Sequence, residues 1–250
     1  MKQVSKKLLF TLIQAVVLFL VAVAVWYAAA AIVNSELILP QPHEVLVLTF
    51  KLLGKGATYL ALLYTLLRAV VAFVLSLGFA TLLYLLVGCY EKSKFTVNAV
   101  VTFLRALPTI AVILVTLILF NSFLTPIIVA FLVVFPVIFG ALSRASDHNA
   151  KLLQLCKVYQ VKPRKTVKLA LLPLLCEELP SIVSENLPLC IKIVVAGEVL
   201  ALPLSGIGRQ MYVAKVNLDT ASVVALTVLT LVVCFAISGT VALIERYKKC

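Results

Sequence analysis

Apolar positions in this chain fall into long runs, each closed by a cluster rich in Lys, Arg, Pro, Gly or Asn. Six runs stand out: Leu8 to Val33, Ala57 to Val87, Val97 to Phe120, Pro126 to Leu142, Leu174 to Leu200 and Ala221 to Ile244. A helix of roughly 20 apolar residues crosses the ~30 Å hydrocarbon core of a bilayer. The pattern therefore predicts an all-α, polytopic membrane helix bundle with six transmembrane helices. Backbone groups in hydrocarbon must bond within their own segment, which selects helices; the short alternating strands of a closed barrel are absent from the sequence. Without tandem repeats or low-complexity stretches, residues 1–250 read as a single transmembrane domain.

Three segments depart from this simple scheme. In the third run Arg105 and Pro108 interrupt the apolar pattern. Two geometries fit: an interfacial helix from Lys94 to Arg105 leading into a span from Leu107, or one long helix kinked at Pro108. The segment Gln41 to Leu53 sets Val45, Leu48 and Leu52 on one helical face and is expected to lie along the outer membrane surface. The stretch from Ser143 to Pro173 is far longer than the two to eight residues that usually join packed helices.

Composition agrees with the pattern. Hydrophobic residues make up 63% of the chain and charged residues 13%, with a mean hydropathy of +1.16. A water-soluble fold has no place for that much apolar surface. The net charge of +12 does not point to nucleic acid, because the basic residues sit between apolar runs and not on one continuous face with interleaved aromatics. They serve better as topology determinants. With the N-terminus inside, 16 of the 22 Lys and Arg residues fall on the inner side, four (Lys51, Lys55, Arg209 and Lys215) on the outer side, and Arg68 and Lys192 within spans. That bias predicts a multi-pass membrane protein with both termini cytoplasmic. The first run is 26 residues long, beyond the 7–15 of a signal-peptide core, so a retained first span is expected. The six cysteines, Cys89, Cys156, Cys176, Cys190, Cys234 and Cys250, form no CxxC pair and are read as reduced thiols with no metal site.

Within the long inner loop, Leu152, Leu153, Cys156 and Tyr159 recur at helical spacing beside polar Lys151, Gln154, Lys157 and Gln160, and Lys162-Pro163 then forces a turn. Such a short amphipathic helix with a basic margin suits either an interface with anionic lipid or a groove on a cytosolic partner.

The loop resembles the coupling loop of ABC importer permeases. There a Glu-Ala-Ala triplet is followed by a Gly and, further on, by a Leu-Pro pair. Leu172-Pro173 corresponds to that pair, which sets Gln154 at the Glu position, Leu155 and Cys156 at the two Ala positions and Gln160 at the Gly. Other segments are similar to permeases of the nitrate, sulfonate and taurine type, a group that includes carriers of thiamine precursors. They are Leu39-Pro40-Gln41-Pro42 with Val45, then Arg105, Pro108 and Ala111, then Lys192 through Glu198-Val199 to Gly206-x-Gly208, Met211-Tyr212, Ala214-Lys215 and Leu218-Asp219-Thr220.

The resemblance implies a homodimeric permease whose cytoplasmic coupling helix, through Gln154, Leu155, Cys156, Tyr159, Gln160 and Lys162, docks an ATP-binding cassette subunit. It further implies an extracytoplasmic substrate-binding protein that delivers a small, anionic solute. ATP and Mg would be bound by the partner subunit, with no cofactor in this chain. No catalytic constellation is visible: His43 and His148 are expected on opposite sides of the membrane, and no Gly-rich phosphate loop with Lys occurs, so ATP hydrolysis is expected elsewhere.

Intramembrane charges complete the candidate set. Glu178, Glu185 and Lys192 are spaced by seven and share a helical face, with Glu198 well off it. Charge in hydrocarbon is costly, so Arg68, Glu185, Lys192 and Glu198 are candidates either for a pathway or for mutual neutralisation, including a Glu185–Lys192 pair or a contact to Arg68. Pro108, Pro180 and Pro188 are hinge candidates, since each frees a backbone carbonyl. An ion-driven secondary transporter using the glutamates, and a membrane scaffold that docks a cytosolic partner without transport, are the alternatives.

Overall fold

The computed structural model describes residues 2–35, 37–90, 93–148 and 150–249. Lys92 and Cys250 lie outside the described residues, as do the side chains of Lys2, Lys6, Lys7, Cys89, His148, Leu153, Lys157, Arg164, Arg246, Lys248 and Lys249. Helices follow in the order α1 (Lys2–Val33), α2 (Pro42–Leu53), α3 (Gly56–Cys89), α4 (Ser93–Ala106), α5 (Thr109–Leu119), α6 (Thr125–His148), α7 (Ala150–Val158), α8 (Pro163–Thr166), α9 (Leu172–Ala201), α10 (Ile207–Val216) and α11 (Thr220–Lys249). A five-residue π-helical turn, Val167–Leu171, joins α8 to α9. No strand occurs among the described residues. Five stretches are long and apolar enough to cross a membrane: Val16–Val33, Gly56–Gly88, Thr125–Ser146, Val167–Ala201 and Thr220–Val241. The protein is a multi-pass membrane protein built as a helix bundle.

Small residues decide how closely the central helices pack. Ala69, Ala72, Ser76 and Ala80 recur every three or four residues along α3, and all four are fully buried. Where apolar burial drives nothing because lipid is equally apolar, such stripes let backbones approach and gain dispersion contact. Gly197 of α9 does the same against α6, since a Cβ there would lie 3.0 Å from Pro126 Cα.

Cross-helix contacts fix the directions. Ser76 Oγ reaches Phe131 O at 3.5 Å, the Phe79 and Phe135 rings meet edge-on at 5.1 Å, and Tyr84 OH lies 2.7 Å from Ser146 Oγ. Rising numbers on α3 meet rising numbers on α6, so these two helices run parallel. Cys190 Sγ donates to Ala69 O at 3.3 Å while Glu198 meets Thr65. Hence α9 runs antiparallel to α3. Ser238 Oγ donates to Ser184 O at 3.2 Å and Cys234 Sγ to Pro188 O at 3.8 Å, so α11 runs antiparallel to α9. One end of the bundle gathers α2, α10 and the starts of α3, α6 and α11; the other gathers α7, α8 and the start of α9.

Ser184 O is the carbonyl that Pro188 leaves without its helical donor, and α11 supplies a hydroxyl in its place. Pro180 and Pro188 both lie inside a continuous α9, with Pro188 buried.

The third apolar run is not one straight helix. Helices α4 and α5 meet at 94° around Leu107-Pro108 and pass as a span only when taken together. Pro108 has no N–H and an extended backbone at ψ 124°, which ends α4. With 11 residues, α5 rises only about 16 Å, roughly half a bilayer core.

One further expectation is corrected. The stretch Ser143 to Pro173 is mostly helical: α6 runs on to His148, a helix restarts at Pro163, and Leu172-Pro173 lies within it. Hydropathy marks where a helix leaves the apolar layer, not where its hydrogen bonds stop. The helix expected at Gln41 to Leu53 forms as α2, and the foreseen face of Val45, Leu48 and Leu52 turns into the protein, packing on α11, with Leu46, Val47 and Phe50 exposed. Its start is pinned by the Gln41 N–H donating to Glu44 at 3.1 Å, and Trp26 Nε1 donating to Pro40 O at 3.2 Å ties the preceding turn to α1.

Candidate functional site

The charges within spans occupy two different environments. Arg68 and Glu198 come together and are 4% and 0% exposed. Arg68 Nη1 donates to Glu198 Oε1 at 2.6 Å and to Ser205 O at 2.7 Å. Thr65, one turn before Arg68 on the same face of α3, donates to Glu198 Oε2 at 2.9 Å and accepts the Ile207 N–H at 2.9 Å. The Gly208 N–H donates to Glu198 Oε2 at 3.0 Å. Phe123 and Tyr64 flank the guanidinium, with ring centroids 5.2 and 6.0 Å from its carbon. Arg68 Nε is buried without a hydrogen-bond partner among the described residues.

Local backbone chemistry makes this junction possible. Helix α9 ends at Leu202 in the left-handed conformation, φ 51°, which reverses the chain. Pro203 to Gly206 then return over Glu198. Gly206 has φ 153°, and a Cβ on it would meet Glu198 Cδ at 2.5 Å and Oε1 at 2.7 Å. Glycine is required there for both reasons. A Cβ on Gly208 would collide with the Val195 carbonyl and lie 2.8 Å from Val199 N. The Gly206-x-Gly208 pair thus lets the Gly208 amide reach a buried carboxylate and the Ile207 amide reach Thr65, and the result staples α10 onto α3 and α9.

Glu185 and Lys192 stand apart from this junction. Both are exposed on α9, and no ion pair joins them within 4.0 Å among the described residues. Glu185 Oε1 accepts only a 3.4 Å contact from Ser181 Oγ. Of the neutralising contacts expected from the sequence, the Glu185–Lys192 pair is not formed, and Arg68 is paired with Glu198. Charge facing hydrocarbon costs at least about 2.5 kcal/mol, so this face of α9 meets water or protein and not lipid tails. Thr65, Ser205, Ile207 and Gly208 were not singled out as site residues from the sequence; the closely spaced glycines were the available signal.

At the bend between α4 and α5, Arg105 Nε donates to Pro136 O at 3.0 Å and its Nη2 reaches the same carbonyl. A Cβ on Gly140 would collide with that guanidinium. Arg105 thereby ties the end of α4 to the middle of α6, beside hinge candidate Pro108, which is exposed.

Helix α7 lies beyond the spans. Leu152, Leu155, Val158 and Tyr159 are exposed, the last two at 76% each. Their spacing sets an apolar ridge along the helix, with Lys151, Gln154 and Lys162 exposed beside it and Cys156 half-buried. The helix closes with the Val161 N–H on Cys156 O at 2.9 Å and the Tyr159 N–H on Leu155 O at 3.0 Å. This closure resembles the Schellman arrangement, in which the residue just past the helix end adopts a left-handed conformation and is usually Gly. Here that residue is Gln160, φ 49°. Replacing Gln160 with Gly is expected to stabilise the turn by roughly 1 kcal/mol. Limited proteolysis within residues 150–162 should slow about fivefold, and an unchanged rate would contradict the strain argument.

No protein-family model matches this chain, and a comparison with curated proteins returns no match.

Proposed function

We propose that this chain is the transmembrane permease subunit of an ATP-driven ABC importer. It moves a small solute of the nitrate, sulfonate, taurine or thiamine-precursor class, in most cases one bearing an anionic group, across the plasma membrane by alternating access. The observation that carries the reading is the unpartnered apolar ridge of α7, a helix beyond the spans with exposed lysines at its margin. A soluble ATP-binding subunit can seat this ridge in a groove, the helix-in-groove mode. The left-handed Gln160 stands at the glycine position of the coupling loop that the sequence resembles, which supports the same register.

Six crossings fit the packing directions. Parallel α3 and α6 need an odd number of crossings between them, and α4–α5 is the helical pair in that interval. Both termini and α7 then share one side, the cytoplasm by the Lys and Arg bias. The exposed Glu185 and Lys192 give α9 a face suited to a second copy and a shared aqueous path, with Lys192 favouring anions. The ion-driven alternative is weakened because Glu198 already spends its carboxylate on Arg68, Thr65 and Gly208.

The test is reconstitution with an ATP-binding subunit and a binding protein, sought among the genes that neighbour this one. Changing Leu155 and Val158 to Asp is expected to abolish co-purification of the ATPase and ATP-dependent uptake while the membrane domain stays folded. Uptake that persists in this variant, or that follows an ion gradient and ignores ATP, would overturn the proposal.

A further inference from the structure

We infer that a cleft at the end of the bundle opposite α7 binds a small zwitterion, a molecule bearing one ammonium and one acidic group. The inference does not rest on the importer reading, since it concerns binding by this chain alone, although taurine, itself a zwitterion, falls within both.

The cleft has a volume of about 480 Å³ and opens between α2, the start of α3, α10 and the start of α11. That volume lies within the roughly 300–1,000 Å³ of small-molecule sites. Its floor is apolar, formed by buried Leu52, Ala61 and Leu226. Its walls carry two side chains of opposite charge, Arg209 and Asp219. Neither forms an ion pair within 4.0 Å among the described residues. Arg209 Nη1 donates to Pro203 O at 3.0 Å, which leaves Nε and Nη2 as donors. Asp219 Oδ1 accepts the Ser222 N–H at 2.9 Å at the start of α11, which leaves Oδ2.

A free fork of donors and a free carboxylate oxygen thus share one cleft but do not neutralise each other. A simple anion drawn to Arg209 also meets the field of Asp219, and a simple cation meets the reverse. A ligand with both charges satisfies both walls, its acidic group on Arg209 and its ammonium on Asp219, through charge-assisted hydrogen bonds. Ser205 and Gly206 also line the cleft, where the Ser205 carbonyl accepts from Arg68 and Gly206 packs on Glu198, which anchors that part of the wall. Small ligands gain from such preorganised positions.

Calorimetric titration of the purified chain in lipid nanodiscs tests the inference. The probes are glycine, β-alanine and 4-aminobutyrate, with propionate and propylamine as single-charge controls. At least one zwitterion should bind roughly tenfold more tightly than either control, equivalent to about 1.4 kcal/mol. Arg209→Gln, which keeps a donor for Pro203 O, and Asp219→Asn, which keeps the cap on Ser222, should each erase that preference while leaving thermal unfolding unchanged. Failure of all three zwitterions to bind more tightly than the controls, or a preference that survives either substitution, overturns the inference.

Discussion

Cutting Glu198 back to Ala is expected to destabilise the folded chain by roughly 3–5 kcal/mol, and Arg68→Ala by a similar amount. The size follows from what is left behind. Without Glu198, the Arg68 guanidinium, only 4% exposed in the intact protein, retains only the Ser205 carbonyl and two ring faces. Without Arg68, a carboxylate with no solvent exposure keeps two neutral donors, Thr65 and the Gly208 amide. Breaking one side of a buried pair is costly because the survivor stays desolvated, whereas replacing both sides by apolar groups is often neutral. The double variant Arg68→Met/Glu198→Met should therefore lose much less than the two single losses added together. Unfolding equilibria of the four proteins in lipid bicelles give the double-mutant cycle. Single losses below ~1 kcal/mol, or a double loss equal to the sum, would show that the pair is solvated and replaceable.

The apolar periodicity made the helices legible, because an apolar run such as Ala57 to Val87 admits one spanning conformation. The ends were not legible. Helix α6 continues six residues beyond Leu142 to His148, since a backbone that leaves hydrocarbon loses its solvent constraint without losing its helical bonds. Pro108 announced a break, but the 94° turn depends on Arg105 reaching Pro136, 31 residues away, and on the missing Cβ of Gly140. Likewise both charges of the main junction were visible in the sequence, while their partnership spans 130 residues. Helical spacing orders side chains within one helix, so it could group Glu185 with Lys192 on a face. It carries no information on which other helix brings a charge to Glu198. The glycines at 206 and 208 encode that approach, and their meaning appears only once α9 and α10 are folded against each other.

Gly208→Ala is the sharpest way to test that encoding, with an expected loss of roughly 1–3 kcal/mol although the change adds one methyl group. The added Cβ would collide with the Val195 carbonyl and lie 2.5 Å from Glu198 Cβ and 2.8 Å from Val199 N. Two of those three atoms are backbone inside α9, so no rotamer change relieves the clash. Helix α10 has to move out, and the Gly208 amide leaves Glu198, removing one of the donors that offset burial of the carboxylate. Gly239→Ala provides the contrast: it lies in α11 with no atom within 4 Å of the new Cβ. Helix propensity alone then favours alanine, by roughly 0.5–1 kcal/mol. The same substitution should therefore carry opposite signs at the two sites when both variants are unfolded in the same bicelles. If Gly208→Ala is neutral or stabilising, α10 is not held against Glu198 by close backbone approach, and the stapling role of the junction fails. If it is destabilising and the effect shrinks in the Glu198→Ala background, the methyl group and the carboxylate act through one contact, as the geometry requires.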